Sequence, residues 1–201
     1  MTSIILAGGK SSRLVKNKAL EVIEGKSLIQ WVIDCLAIVS KHIIIATAHG
    51  EQLPWPGPAE ITTVADIYPG KGPLGGIHSG LTAAATSSAI VVACDAPFLS
   101  VDLLKYLAQV SPGFDAVIPR IGGNIEPLCA LYSRNCLAAI QKLLEQDERQ
   151  IRKLFDMVKV RYVEEEEIDR FDPEHLSFFN INTREDLETA RRLAAERGWA
   201  T

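Results

Sequence analysis

This sequence has few cysteines, no long apolar run, no excess of positive charge and none of the familiar hydrolase signatures. Its four cysteines, Cys35, Cys94, Cys129 and Cys136, include no CxxC pair. That excludes a zinc ribbon, a dithiol redox motif and a disulfide framework. What remains is the thiol as a small buried apolar group in a reducing compartment. No run of eighteen or more apolar residues occurs, so nothing reads as a membrane-spanning helix. The chain enters "SIILAGG" without a basic segment or a cleavage-site pattern, which makes the cytoplasm its expected location. Lys and Arg total 21 against 25 Asp and Glu, a net charge of -4, and that argues against a general nucleic-acid binder. The histidines, His42, His49, His78 and His175, form no HExxH, and no serine stands in a GxSxG elbow.

What is present is an alternation. "SIIL" at 3–6, "HIIIATA" at 42–48, "EITTVA" at 60–65, "AIVVAC" at 89–94 and "DAVIP" at 115–119 are short and rich in β-branched residues. Runs without in-out alternation are expected of strands buried on both faces of a parallel sheet. Amphipathic stretches lie between them. Ser27 with Gln30 reads as a capping box before "LIQWVIDCLAIV", and Ser100 with Asp102 opens "VDLLKYLAQV". Thr183 and Asp186 open "REDLETARRLAAER", which Gly198 stops. The predicted fold is therefore α/β: a Rossmann-like, doubly wound, mostly parallel sheet with helices on both faces, one domain over residues 1–201. "PWPGP" at 54–58 reads as a loop between strands, and "EEEE" at 164–167 as a solvated helix start or loop.

Ligands in such sheets bind beyond the carboxyl ends of the strands, where the strand order reverses. Three segments meet that rule: Gly8-Gly9 with the basic loop behind it, Asp66 and Asp95. The two glycines let backbone N–H groups approach an anion. Lys10, Arg13, Lys16 and Lys18 concentrate positive charge there although the chain as a whole is acidic. Two decoys fail. "GKS" at 25–27 lacks the P-loop glycine at position 20, which is Leu20. "GKGPLG" at 70–75 contains Pro73 and does not follow a strand directly, so it reads as a loop lining the pocket. A strand-end Asp95 facing a phosphate loop suits magnesium, which takes one or two carboxylates plus substrate phosphates; Asp66 is a second candidate. With no protein nucleophile in view, the pattern suits chemistry in which a phosphate is itself the nucleophile. Such a group carries about -1.5 to -2 charge at neutral pH and needs charge neutralisation more than a base.

Five segments in order, "LAGGKSSRLVKNKAL", "DIYPGKGPLGGIHSGL", "ACDAPFL", "EPLCALY" and "FFNINTREDL", resemble the successive motifs of the MobA family, the molybdenum cofactor guanylyltransferases. The resemblance implies a nucleotidyltransferase domain that moves GMP from GTP to molybdopterin, with or without its molybdenum, using Mg2+ and releasing pyrophosphate. It implies that Leu6, Ala7 and Gly8, with Gly9 beside them, contact the guanine nucleotide, that Lys18 contacts its phosphates and that Arg13 is a further phosphate ligand. Asp66 would belong to the nucleotide site, Asp95 would hold the metal, and Asn180 and Asn182 would lie near the pterin. Other molybdenum cofactor biosynthesis proteins are the implied partners; nucleic acid and membrane are not. The related cytidylyl enzymes tend to read "LAAG", so Gly8 favours guanine; transfer of another base, or a catalytically silent relative, are the competing readings. Three departures stand out: Val15 replaces a loop glycine, Glu126 stands where glutamine is common, and "ATAHG" at 46–50 lacks an asparagine often found there.

Overall fold

The computed structural model describes residues 1–8, 19–49 and 59–198. Among these the chain forms β1 (Thr2–Leu6), β2 (Val22–Ile23), β3 (Lys26–Ser27), α1 (Leu28–Val39), β4 (His42–Thr47), β5 (Glu60–Ala65), α2 (Pro73–Ala83), β6 (Ser88–Ala93) and α3 (Val101–Gln109). There follow β7 (Ala116–Ile121), β8 (Asn124–Ile125), β9 (Cys129–Ser133), α4 (Cys136–Glu145), β10 (Val160–Glu164), α5 (Glu165–Ile168) and α6 (Arg184–Glu196). The main sheet runs β10-β7-β9-β6-β1-β4-β5, with β8 hairpinned onto β7. β6, β1, β4 and β5 are mutually parallel; β9 is antiparallel to both β6 and β7. The five strands expected from sequence are all present, within two residues at each end.

Successive residues of β1 point to opposite layers. Ile5 packs with Val32 and Leu36 of α1 and Leu103 and Leu107 of α3. Ile4 packs with Leu74, Ile77 and Leu81 of α2 and with Ile140 and Leu144 of α4. The apolar runs thus serve two cores at once, each fully buried Ile or Leu contributing about 1.5–3 kcal/mol. A third cluster, Ile23, Leu28, Phe98, Ile181, Ala190 and Ala194, fastens α6 to the β2–β3 hairpin and to the segment after β6.

Several local expectations change. Ser27 occupies the N-cap of α1 but makes no side-chain cap, and Gln30 instead donates to Asp34 at 2.7 Å. Ser100 does cap α3, accepting from Leu103 N at 3.2 Å, and Thr183 with Asp186 forms the expected capping box on α6. The loop read over 70–75 ends at Gly72, because Pro73 takes the first position of α2, where its missing N–H costs nothing. The acidic run is not simply solvated: Glu167 accepts from Tyr106 Oη at 2.5 Å and pairs with Arg161 at 2.6 Å. Cys94, Cys129 and Cys136 are buried, Cys35 is partly so, and none of the four is in a disulfide. Burial pushes Cys35 and Cys136 up to about 12, which leaves both as inert thiols. "PWPGP" lies outside the described residues.

Helix α2 lies against β1 at a glycine. A Cβ on Gly80 would stand 2.6 Å from Ile4 Cγ2 and 2.9 Å from its Cδ1, both in the packed core. Gly80→Ala should therefore destabilise by about 1–3 kcal/mol, although alanine is the better helix former. Urea unfolding of the two proteins measures it; an unchanged midpoint would show that α2 is not seated this closely.

Candidate active site

The strand order reverses at β1. The chain passes from β1 outward to β4 and β5, then returns to lay β6 on the other side of β1. The crevice predicted by that reversal lies between Leu6-Ala7-Gly8 and the segment following Ala93. Main-chain bonds hold its walls: Ala7 N donates to Ala46 O at 2.9 Å and Cys94 N to Leu6 O at 3.2 Å. Gly8 abuts the end of β4, where a Cβ would come 3.1 Å from Ala48 N, so any larger residue would push the crevice wall outward. The anion loop itself, with Gly9, Lys10, Arg13, Val15, Lys16 and Lys18, lies outside the described residues.

Asp95 follows β6 by two residues, and its carbonyl accepts from Ile181 N at 3.0 Å. That bond brings the "FNIN" segment to the Asp95 turn, so Asn180 and Asn182 flank a residue bonded to it. The segment is itself braced. Asp172, 7% exposed, accepts from Leu176 N and Ser177 N at 3.0 and 2.8 Å, and Ser177 Oγ accepts from Ser100 N at 2.8 Å. Phe98 stacks on Phe179 with ring centroids 6.2 Å apart. The cap of α6 is Thr183 rather than Asn182, whose side-chain amide reaches Asn180 O at 3.5 Å. Beside Asn182 opens a cavity of about 410 Å³, lined by Glu21, Ile181, Thr183, Arg184 and Arg191 among others.

Asp66 sits at the other end of the row. Two strands separate β5 from β6, so at about 4.8 Å per strand the two strand ends are roughly 14 Å apart. That is too far for one ion held directly by both strand ends, so Asp66 and Asp95 are best treated as separate positions. The Asp66 carboxylate accepts from Tyr68 N at 3.0 Å and lies 3.1 Å from Ser79 Oγ. Ser79 Oγ accepts from Ile67 N at 2.8 Å and also has Gly75 O within reach of its single proton. Gly75 leaves room for this arrangement, since a Cβ there would fall 2.8 Å from both Asp66 oxygens. Burial pushes the Asp66 carboxyl above the usual carboxylate range, opposed by the Tyr68 and Ser79 hydrogen bonds and by nearby His78. Burial likewise pushes His78 down, while Asp66 acts against that shift. The His78 ring meets Tyr68 edge-on at 5.1 Å, and its buried Nδ1 has no hydrogen-bond partner among the described residues.

The shell of Tyr68, Gly75, His78 and Ser79 around Asp66 was not foreseen from sequence. The one available signal was "GGIHSG", small and polar residues in a stretch that the fold makes helical. Glu126, marked in the sequence only as standing where glutamine is common, lies half-buried just before β9, and burial pushes its carboxyl up as well. No group of three or more His, Cys, Asp or Glu side chains suited to a metal occurs among the described residues. Nor, among them, is any helix long and apolar enough to cross a membrane.

Comparison with known proteins agrees with this fold. The model of the MobA-like NTP transferase domain matches residues 3–165. A protein of Pelotomaculum thermopropionicum is 37% identical over 193 residues, covering 96% of this chain and 93% of its own. The molybdenum cofactor guanylyltransferase of Desulfosudis oleivorans is 36% identical, covering 94% of each chain. Among solved structures, molybdopterin-guanine dinucleotide biosynthesis protein A from Archaeoglobus fulgidus superposes with a TM-score of 0.82 at 30% identity, covering 98% of this chain and all of that one. The 2-C-methyl-D-erythritol 4-phosphate cytidylyltransferase of Thermus thermophilus shares the fold, with a TM-score of 0.71 at 16% identity over 96% of this chain and 98% of that one. A crevice at the β1 reversal, the five ordered motifs and relatives matched along nearly their whole length lead to one conclusion: the chain belongs to the MobA-like NTP transferase family.

Proposed function

We propose that the protein transfers GMP from GTP to the terminal phosphate of molybdopterin, with or without its molybdenum, forming the guanine dinucleotide and releasing pyrophosphate. The observation that carries this reading is the main-chain bond from Ile181 N to Asp95 O, which ties the "FNIN" segment to the turn that follows β6. Leu6, Ala7, Gly8 and Gly9 receive the nucleotide, and Gly8 leaves its base edge room against the backbone. Asp66 accepts hydrogen bonds from the nucleoside. The acceptor phosphate attacks the α-phosphorus in line, and the bond to pyrophosphate breaks on the opposite side. Lys18 and Arg13 hold the phosphates and counter the charge that accumulates on the departing pyrophosphate.

Magnesium fits this donor set. It is satisfied by one or two carboxylates plus substrate phosphates, so a single strand-end Asp95 suffices without a dedicated cluster. When bound, it neutralises phosphate charge and orients the polyphosphate. The working compartment is the cytoplasm, in keeping with four cysteines outside any disulfide, and other molybdenum cofactor biosynthesis proteins deliver the acceptor and take the product.

Pyrophosphate release measured with GTP, Mg2+ and molybdopterin tests the reading. Asp95→Ala should lower kcat by about 10²- to 10³-fold, on the scale of losing one electrostatic contact to the transferring group. GTP should be used in preference to CTP. Unaltered turnover in Asp95→Ala, or equal use of both nucleotides, would overturn it.

Asp66 makes a separable prediction. The folded chain keeps a proton on this carboxyl at pH values where the unfolded chain has lost it. Ionisation therefore costs stability as pH rises through the carboxylate range. Asp66→Asn retains an acceptor for Tyr68 N and removes that cost. The melting temperature of the variant minus that of the parent should grow from pH 4 to pH 7, while GTP affinity at pH 7 falls by about tenfold. Parallel melting curves across that range would show that the carboxyl carries no burial cost.

A further inference from the structure

Glu126 is built into the carboxyl edge of the sheet on the far side of Asp95 from the end of β1 at Leu6. The Gly122-Gly123 turn, both residues at positive φ, reverses the chain after β7, so β9 starts where β6 and β7 end. Main-chain bonds fix the segment between. Glu126 N donates to Pro119 O at 2.9 Å, Cys129 N to Glu126 O at 3.4 Å, and Ala93 N to Leu128 O at 3.0 Å. Tyr132 Oη adds a bond to Pro127 O at 2.8 Å. The last main-chain bond ties this segment to the strand that carries Asp95 two residues further on.

The backbone of Glu126 is thus held rigidly while its carboxyl is not used. Asp172 spends both oxygens on the N–H groups of Leu176 and Ser177, and Asp66 spends Oδ1 on Tyr68 N and Ser79 Oγ. Glu126 is half-buried, yet its oxygens have no hydrogen bond or ion pair among the described residues. A desolvated carboxyl without donors is costly unless a ligand supplies them. Two N–H donors side by side suit a carboxylate best, because both oxygens are then engaged with fixed geometry.

Both substrates in the reading above offer such an edge, the 2-amino-4-oxopyrimidine ring shared by guanine and pterin. Position separates them. Leu6, Ala7, Gly8 and Asp66 lie on the β1–β4–β5 side of Asp95, whereas Glu126 lies on the β9 side. In-line attack needs the acceptor phosphate opposite the departing pyrophosphate, and with the nucleoside on the β1–β4–β5 side the acceptor takes the remaining side, nearest Glu126. We propose that the Glu126 carboxylate reads the pterin of the acceptor, accepting from ring N3–H and from the 2-amino group, and so acts as a specificity-determining residue. This rests on the guanylyl-transfer reading.

The test is a fluorescence titration of the GTP-loaded full chain with pterin and with lumazine, its 2-oxo counterpart. Wild type should bind pterin about 10- to 100-fold tighter, the scale of hydrogen bonds to a charged group. Glu126→Leu should bring the two affinities together. Glu126→Gln, which keeps the shape, should reverse the preference, because its amide N–H can donate to the 2-oxo group and its oxygen still accept from N3–H. A packing role alone would not produce that reversal. GTP and inosine triphosphate, which lacks the 2-amino group, should keep the same affinity ratio in all three proteins. Wild type binding pterin and lumazine equally, a preference unchanged in both variants, or a shift appearing in the nucleotide ratio would each overturn the proposal. Failure of wild type to transfer GMP would instead strike the function reading, and the titrations would still report what Glu126 recognises.

Discussion

The crevice depends on the burial of β1 between two parallel neighbours and two helical layers. Ile4 and Ile5 are fully buried on opposite faces, so a one-residue slip of this strand would turn its side chains to the wrong layers. The register of Ser3↔Ile43 and Ser3↔Ile90 is set by that burial, and so is the position at which Leu6, Ala7 and Gly8 emerge. A central first strand also forces the chain to build outward on one side before returning on the other. The crevice is the consequence of that return, and chemistry is placed in it by the residue that ends each strand.

Along the carboxyl edge the groups occur in a fixed spatial order that differs from their order in the chain. Asp66 lies on β5, the nucleotide segment on β1, Asp95 on β6 and Glu126 on the entry to β9. Each step is a multiple of the strand spacing, about 4.8 Å. The β2–β3 hairpin and α6 do not belong to the main sheet, yet the cluster of Ile23, Leu28, Phe98 and Ile181 brings the Asn180–Asn182 segment to the Asp95 turn. A segment far from Asp95 in sequence becomes its neighbour through one main-chain bond.

Much of this was legible in the residues. Four of the five β-branched runs are strands with buried residues on both faces, while β5, at the sheet edge, has none; the switch-point rule pointed to Gly8-Gly9, Asp66 and Asp95 at the carboxyl edge. What escaped had weak local signals. β9, "CALYS", contains no β-branched residue and draws its strand state from β6 and β7 on either side. α2 escaped because Gly75, Gly76 and Gly80 each cost about 1 kcal/mol of helix propensity. Those glycines are there for space, against Asp66, Leu6 and Ile4 respectively, which only the packed structure reveals. Ser27 reads as a cap by its position, but Gln30 has Asp34 one turn away and bonds to it instead. The shell around Asp66 was illegible for the same reason as α2: it depends on which face of that helix meets the end of β5.

Asp66 and Glu126 show the same upward push by burial at the two ends of the edge, but they resolve it differently. Asp66 is partly compensated from within, by Tyr68, Ser79 and the nearby His78, so its position is set before any ligand arrives. Glu126 has a rigid backbone and a carboxyl without a donor among the described residues, which leaves it open to donors that a ligand would bring. Between them stands Asp95, where the proposed transfer would bring two phosphate-bearing substrates together despite their like charge. Binding energy collected at the two ends, on groups that take no part in bond making, can offset that repulsion at the centre. On this view the recognition of the rings and the chemistry of the phosphates are joined by the sheet: its strand spacing sets how far each ring is held from the phosphorus under attack.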